Sequence, residues 1–539
     1  MSKFVIRTAV GENIGIGHLM RCLHLAREIE AQGGQTLFAL DHVTDELLSF
    51  LEGQDFICLY SAVQSQINSQ EDARLLLEHT KGADWIILDD YRINQDWEGI
   101  ITAEQRATKL CVIDDLERSH TCDVVIDVGS RGEQSLKDWN SRVPEHCQKL
   151  LGPHYVILSK HYQSPWQKQK KNETYSILLS LGGGGDLQIC VGITDALLDA
   201  FDTSININIL IGPLSQGQDE LKAKYRDTDN VNCLTGIQEA YSILQKTDLY
   251  IGAAGTMLLQ VRCLNMPALT FSIANNQNND IFNLEKIGHY FHLNSYTNDD
   301  FPAFAKFAQI VYDHYDRVLQ MGLEPQKPID GLGSKRITAT FFENESIEPA
   351  SAKLHNNDDT LERLATGYAI RPVSDHDINL YRCSRNLEKN HQFMSVAEKI
   401  AAIGHYSWWF NSMRESFIVE KNNKPSLIIW HQRVQAGGKA FMNAGWFVCD
   451  EKGADFKDVL LSMSWQVKYC YEHHKGIPWL SVVKKDNTFA QQINDYFGFE
   501  KMEEDHPFYP ACTQMFSLAT KQDFHYIIFE NKSKIRKRT

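Results

Sequence analysis

Short apolar runs recur along the first 330 residues, each closed by glycine or paired aspartates and followed by a helical stretch. Residues 3–10 read as a strand and 18–31 as a helix, and Phe38 to Leu40 starts a second strand. ADWIILDDY (83–91) and KLCVIDDL (109–116) are apolar strands ending in acid pairs, with helical segments such as 70–80 between them. Strands that are apolar throughout, alternating with helices, predict a parallel α/β sheet covered on both faces. Its ligands belong at the carboxyl ends of the strands. A polar stretch, HYQSPWQKQKKNETY (161–175), breaks this rhythm. It restarts with YSILLSLGGGGD (175–186), ININILIGP (205–213), DLYIGAAGT (248–256) and ALTFSI (268–273).

The pattern therefore predicts two α/β units, 1–160 and 172–330, with a cleft between them. Residues 331–365 are weakly patterned, contain HNNDDT, and read as a linker. The block 366–517 mixes strands and helices and predicts a compact α+β domain. It holds HYSWWF (405–410), a strand near 441–449, a helix near 456–473, a strand at 479–483 and a helix near 487–496. Residues 518–539, ending in the basic NKSKIRKRT, read as a C-terminal extension.

A length of 539 residues is too great for one core and fits several domains. The net charge of -15 opposes non-specific binding to nucleic acid or anionic membrane. An anionic ligand stays open, because backbone N–H groups hold phosphate without net positive charge. Twelve cysteines without CxxC pairs favour a reducing, cytoplasmic setting. The first ten residues read as a strand, not as a charged segment leading into an apolar one, which argues against a secretory leader. No apolar run reaches the ~18 residues of a membrane span. No compact metal-ligand spacing stands out, so no metal is expected.

Chemistry concentrates in three glycine turns. ENIGIGHLMRCLHLAREI (12–29) puts Gly15 and Gly17 before His18 at the start of a helix, with Arg21 one turn on. A neutral imidazole there can accept a proton, as a general base does; a surface or capping histidine is the plain alternative. Gly182 to Gly185, including Gly184, precede Asp186, and Gly252, Gly255 and Thr256 precede another helix. Each follows a strand, the context of a phosphate cradle, and neither carries the Lys-Ser/Thr of a P-loop. The pairs Asp89/Asp90 and Asp114/Asp115, and Asp186, suit either sugar contacts or helix caps. Arg21 suits either a phosphate or a structural acid.

IRTAVGENIGIGHLMRCLHLA resembles the opening of the UDP-sugar hydrolases of pseudaminic acid biosynthesis, which act on a UDP-2,4-diacetamido-2,4,6-trideoxy-altropyranose. The similarity continues through DDYRINQDW (89–97), VIDDLERSHTCDVVID (112–127), LLGPHYVIL (150–158), SLGGGGD (180–186) and IGPL (211–214). It ends with AAGTMLLQVRCLNMPAL (253–269) and IANNQN (273–278), so it spans roughly residues 1–325. The resemblance implies a pair of Rossmann-like domains of the GT-B type. His18 would activate water and Gly15 and Gly17 would shape the pocket. Gly255, Thr256, Asn276 and Gln277 would line the nucleotide or sugar side, and Gln260 falls where the family usually carries a glutamate. Asp90, Asp115, Gly184, Asp186 and Arg21 are further substrate-side candidates. The family also has an aspartate where this chain has Ala9.

Residues 366–517 resemble the GNAT acyltransferases, in particular those acting on amino groups of nucleotide-linked deoxysugars. The similarity rests on YAIRPVSDHDINLY (368–381), HYSWWF and SVVKKDNTFAQQINDYFGFEKME (481–503). It implies acetyl-CoA as co-substrate, with Gly453 and Asn487 on its side and His405 and Trp408 on the acceptor side; the plain alternatives are a small core filled by Trp408 and Trp409 and a surface place for His405. The family's tyrosine acid falls on Asn494 here; Tyr496, two residues later, is either the acid or a core residue. The combined expectation is a UDP-linked amino deoxysugar, N-acetylated at its 4-amino group and then hydrolysed to free sugar and UDP. The alternatives are a GT-B-like glycosyltransferase and a decayed nucleotide-sugar-binding scaffold.

Overall fold

The computed structural model describes residues 1–11, 16–129, 133–163, 166–201, 204–274, 277–349, 361–395 and 397–530. The chain separates into two compact units, Met1–Leu354 and His355–Thr539.

The first unit opens with strands β1 (Lys3–Thr8), β2 (Gln35–Leu40), β3 (Phe56–Cys58), β4 (Trp85–Asp89), β5 (Lys109–Ile113), β6 (Val124–Asp127) and β7 (Gln148–Leu151). They pair in parallel in the order β3-β2-β1-β4-β5-β6-β7. The strand order reverses between β1 and β4, which opens a crevice at their carboxyl ends. The next strands are β8 (Ser176–Ser180), β9 (Gly184–Asp186), β10 (Asn206–Leu210), β11 (Leu214–Gln216), β12 (Val231–Leu234), β13 (Leu249–Ala253), β14 (Ala268–Phe271) and β15 (His292–Leu293). Six of them form a second parallel sheet, β12-β10-β8-β13-β14-β15, which reverses between β8 and β13; β9 and β11 pair separately. These are two Rossmann-type parallel α/β sheets, as the alternation of apolar strands and helices predicts.

The helix Gly17–Ala31 buries Leu19, Leu23, Ala26 and Ile29 on the first sheet, a stripe at helical spacing. The helix Gly333–Phe341 joins the same core through Ile337 and Phe341. Phe341 stands 5.7 Å from Phe4 and 4.7 Å from Trp85, ring centre to ring centre. This corrects the reading of 331–365 as a linker. Burying each of these two side chains is worth about 2 kcal/mol, so residues 333–341 are fixed to the first domain. HNNDDT lies outside the described residues.

The second unit contains β16 (Glu362–Ala365), β17 (Tyr368–Pro372), β18 (Glu415–Lys421), β19 (Lys424–Ala436), β20 (Lys439–Val448), β21 (Trp479–Lys484), β22 (Glu500–Lys501) and β23 (Phe524–Phe529). The sheet order is β16-β17-β18-β19-β20-β21-β23-β22. Every pairing is antiparallel except β20 with β21, which run parallel and share a single register pair, Met442 with Trp479. The two strands part beyond that point. The long helix Phe456–His473 covers one face through Val459, Met463, Val467 and Cys470. Because β23 lies between β21 and β22, the extension expected at 518–539 in fact supplies an inner strand, and the domain reaches past the expected limit at 517. β16 likewise starts the sheet before residue 366.

All twelve cysteines are free thiols. Among the described residues no helix is long and apolar enough to cross a membrane.

Candidate functional site

His18 sits in the first turn of the helix Gly17–Ala31, beside the crevice between β1 and β4. Its Nδ1 lies 2.7 Å from Asp89 Oδ1, at the end of β4. Arg21 grips the same carboxylate with two N–H donors, Nε to Oδ2 at 2.6 Å and an η-nitrogen to Oδ1 at 2.5 Å. The Cys22 thiol adds a weaker contact at 3.4 Å. Burial alone would raise the Asp89 pKa, but Arg21 and His18 hold it well below the usual carboxylate range. A permanently ionised carboxylate at 2.7 Å draws the ring proton to Nδ1, which leaves Nε2 as the lone-pair nitrogen. Among the described residues Nε2 has no hydrogen-bond partner. The edge of Tyr91 meets the ring at 4.5 Å between centres, and the Tyr91 hydroxyl donates to Asp115. Burial pushes the Tyr91 phenol up, so it stays a donor.

Asp89 is the residue that the sequence hid among its acid pairs. Asp90 points the other way, because successive strand residues face opposite sides. Its carboxylate is taken by Arg92 at 2.5 Å, with Arg7 3.7 Å away. The same buried network holds Asp41 and Asp72 on Arg7 at 2.6 and 2.9 Å. Asp90 is thus a structural ion pair, not the substrate contact expected. Arg21 too is held mainly by Asp89, with Asp115 at 3.4 Å, so it positions the acid instead of reaching for a phosphate. Ala9, where the resembling family has an aspartate, is buried, and its N–H donates to the Asp89 carbonyl at 3.2 Å. The carboxylate beside His18 is therefore Asp89's.

The second domain meets this site through its glycine turns. A Cβ on Gly183 would stand 2.2 Å from Ile16 Cγ2 and 2.9 Å from the Ile16 nitrogen, so only glycine allows the approach. A Cβ on Gly17 would lie 3.9 Å from Thr256 Oγ1. Gly255 is the N-cap of the helix Thr256–Cys263 and supplies no capping side chain; the helix of His18 starts at Ile16, also without a side-chain cap. Some helices elsewhere are capped, by Asn68, Asn94, Asp280 and Asn487, and others, such as Gly333–Phe341 and Ala402–Asn411, also start without a side-chain cap. Two uncapped helix starts thus face one crevice, and their first-turn N–H groups are left for an anion. Gly184 lies in β9, and Asp186 accepts from the N–H of Gln188, the first residue of the helix Gln188–Ala200, at 2.9 Å. Gln260 Oε1 accepts from the Tyr162 hydroxyl at 2.8 Å. Gln277 Oε1 accepts from the Ile273 N–H at 3.0 Å, and its Nε2 faces Gly255. Gly15 and Asn276 lie outside the described residues.

The second unit holds a cavity of about 1020 Å³ where β20 and β21 part, lined among others by Tyr381, Lys389, Trp408, Arg414, Trp430 and Asn487. Arg414 stacks 3.7 Å over the Trp430 ring. Trp408 is partly exposed at this cleft, while Trp409 is buried and donates to Asp375 at 2.9 Å. His405 also borders the cleft, but it is 1% exposed and its Nε2 is 2.9 Å from the Ile378 carbonyl. Burial lowers its pKa to about 4. It supports Trp408 and Tyr381 from behind, at 5.4 and 5.9 Å between ring centres.

Two expectations for this cleft change. Tyr496 is 48% exposed and packs on Phe456, and the cleft is lined at Asn494 instead. It therefore cannot serve as the acid in this geometry. Gly453 borders the cleft, but its N–H and that of Lys452 both turn onto Asp450 Oδ1, at 3.2 and 2.8 Å. Asp455 caps the following helix with a carboxylate, so the turn is not an open phosphate cradle. Lys389, from a distant helix, adds positive charge there beside Lys452 and donates to the Lys452 carbonyl at 3.2 Å. The Asn487 side chain caps its helix by accepting from the Ala490 N–H at 3.0 Å.

Comparison with known proteins adds little chemistry. The family described as "Protein of unknown function (DUF354)" matches residues 186–295, inside the second Rossmann-type domain. The Uncharacterized protein MJ1062 of Methanocaldococcus jannaschii is 23% identical over 428 residues, covering 76% of this chain and 78% of that protein. Among solved structures, the S. aureus MnaA-UDP co-structure matches with a TM-score of 0.44 and 12% identity, over 66% of this chain and 100% of that one. Acinetobacter baumannii MurG matches with a TM-score of 0.43 and 14% identity, over 63% of this chain and 99% of that one.

Proposed function

We propose that the first unit hydrolyses a UDP-linked 2,4-diacetamido-2,4,6-trideoxy sugar, releasing the free sugar and UDP. The observation that carries this reading is the His18–Asp89 pair at the strand-order reversal, on one uncapped helix start and facing a second at Thr256. His18 Nε2 takes a proton from water as the water oxygen bonds to the anomeric carbon. The bond from that carbon to the diphosphate oxygen breaks, and UDP leaves with the electron pair. Asp89 stabilises the imidazolium that forms, and Arg21 keeps Asp89 ionised and in place. The helix N–H groups hold the diphosphate charge as it grows. No metal is needed for these steps.

The second unit, in this proposal, transfers an acetyl group from acetyl-CoA to the 4-amino group of the precursor sugar. The parting of β20 from β21 favours it. Parallel strands that separate after one paired position leave backbone N–H and C=O groups free to bond the amides of a pantetheine arm. The product of that transfer is the substrate of the hydrolysis, which gives both units one purpose.

The test is a mass-resolved reaction of the full chain with the UDP-linked 4-amino sugar, with and without acetyl-CoA. The proposal expects an acetylated nucleotide sugar first, then free diacetamido sugar and UDP. Release of UDP only when a sugar or lipid acceptor is added would favour a glycosyltransferase. Binding without turnover would favour a decayed scaffold.

A further inference from the structure

A group of side chains outside both sites has no assigned role. Glu415 begins β18, and His431 lies directly opposite it on β19. His474 follows the end of the helix Phe456–His473 that crosses these strands. One ligand atom from each residue lies within 4.8 Å of the others. His474 Nε2 is 2.9 Å from Glu415 Oε1, and His431 Nε2 is 3.7 Å from Glu415 Oε2.

His431 is the unusual member. Its side chain is fully buried, between Phe417 and Tyr469. Neither ring nitrogen has a hydrogen-bond partner among the described residues. The 3.7 Å separation from Glu415 is too long for a hydrogen bond. Buried imidazoles are otherwise bonded, and one that is not calls for an explanation such as an ion. The Tyr469 hydroxyl donates to Glu415 Oε2 at 3.2 Å, the kind of outer contact that orients a carboxylate ligand.

We propose that Glu415, His431 and His474 form a binding site for one divalent transition-metal ion, best matched by Zn2+. Two imidazoles and a carboxylate, with a side open to solvent at the partly exposed His474 and Glu415, suit zinc at three protein ligands and a water. A hard cation such as Mg2+ or Ca2+ would demand more oxygen. The bound ion would pin the end of the long helix to β18 and β19, behind the floor of the cleft on which Trp430 stands. The ligands lie 16 and 43 residues apart along the chain, so no local spacing announces them.

The experiment strips the full chain with a chelator and titrates it with Zn2+ against a chromogenic competitor. Parent, His474→Ala and Glu415→Gln are compared; both substitutions are at partly exposed positions and leave the core intact. The expected result is one zinc per parent chain, weakened at least ~10-fold in both variants. Co2+ loading should give the visible absorption of a tetrahedral site, lost in His474→Ala. A folded parent that takes up no stoichiometric zinc, or a weakening below ~10-fold in either variant, overturns the proposal.

Discussion

Replacing Asp89 with asparagine tests the site at its most informative atom. The substitution keeps the shape and removes the charge that His18 and Arg21 share. His18 loses its 2.7 Å acceptor, and Arg21 loses the partner it holds at 2.5 and 2.6 Å. Breaking a buried pair costs 3–5 kcal/mol in general, and the low end, about 3 kcal/mol, applies because Asp115 remains 3.4 Å from Arg21. The catalytic loss should be larger. An amide N–H facing Nδ1 drives the ring proton to Nε2, the nitrogen that must accept from water. Losses of ~10⁴-fold accompany such a change, about 5 kcal/mol of barrier. The assay is UDP release from the UDP-diacetamido sugar at saturating substrate, beside urea unfolding of the same preparations. The folded Asp89 pKa is depressed, so the stability it contributes is present above the unfolded value of about 4 and fades as pH falls below it. The difference in stability between parent and Asp89→Asn should therefore narrow in acid. A variant within about threefold of parental kcat would refute the reasoning, since a tautomer change at the base cannot be that mild.

Gly183→Val should force the Gly182–Gly185 turn away from the turn before His18, because its Cβ would overlap Ile16. A stability loss of about 1–3 kcal/mol and a sharp rise in KM for the nucleotide sugar are expected, by unfolding and steady-state kinetics. Lys389→Ala should raise KM for acetyl-CoA ~10-fold with kcat nearly unchanged, if this lysine meets the CoA phosphates. His120, buried between Glu98 at 2.6 Å and Asp114 at 3.1 Å, titrates against burial: desolvation opposes its charge, but the two acids raise its pKa to about 9. A raised pKa means stability that is full below the unfolded value of about 6.5 and lost as pH rises through about 9. The gap between parent and His120→Gln in urea unfolding should shrink by about 3 kcal/mol across that window; a constant gap would contradict it.

The sheets were legible because parallel strands buried on both faces are apolar at consecutive positions, as in WIILD and SILLS. His18 was legible because glycine before a helix start is a local signal. Its partner was not. Asp89 and Asp90 are adjacent and chemically alike, and only the facing of β4 decides which one reaches His18, 71 residues away in sequence. Gly333–Phe341 escaped notice because a nine-residue helix with two core anchors, Ile337 and Phe341, leaves a weak periodic trace. FHYIIF (524–529) reads as apolar on its own, but its place inside a sheet depends on pairing with β21 far upstream. Tyr496 failed for a related reason. The resemblance put the family's position at Asn494, which does line the cleft, and the nearest tyrosine, two residues on, falls on another face of the helix.

The central claim is that water, activated by His18, attacks the anomeric carbon. The direct measurement is a reaction of the UDP-diacetamido sugar in ¹⁸O-water, without any other acceptor, with both products weighed by mass spectrometry. The account predicts one ¹⁸O on the free sugar, none on UDP, and loss of turnover by roughly 10²–10⁴-fold in His18→Ala. Label on the released UDP, or unchanged turnover in His18→Ala, would contradict it.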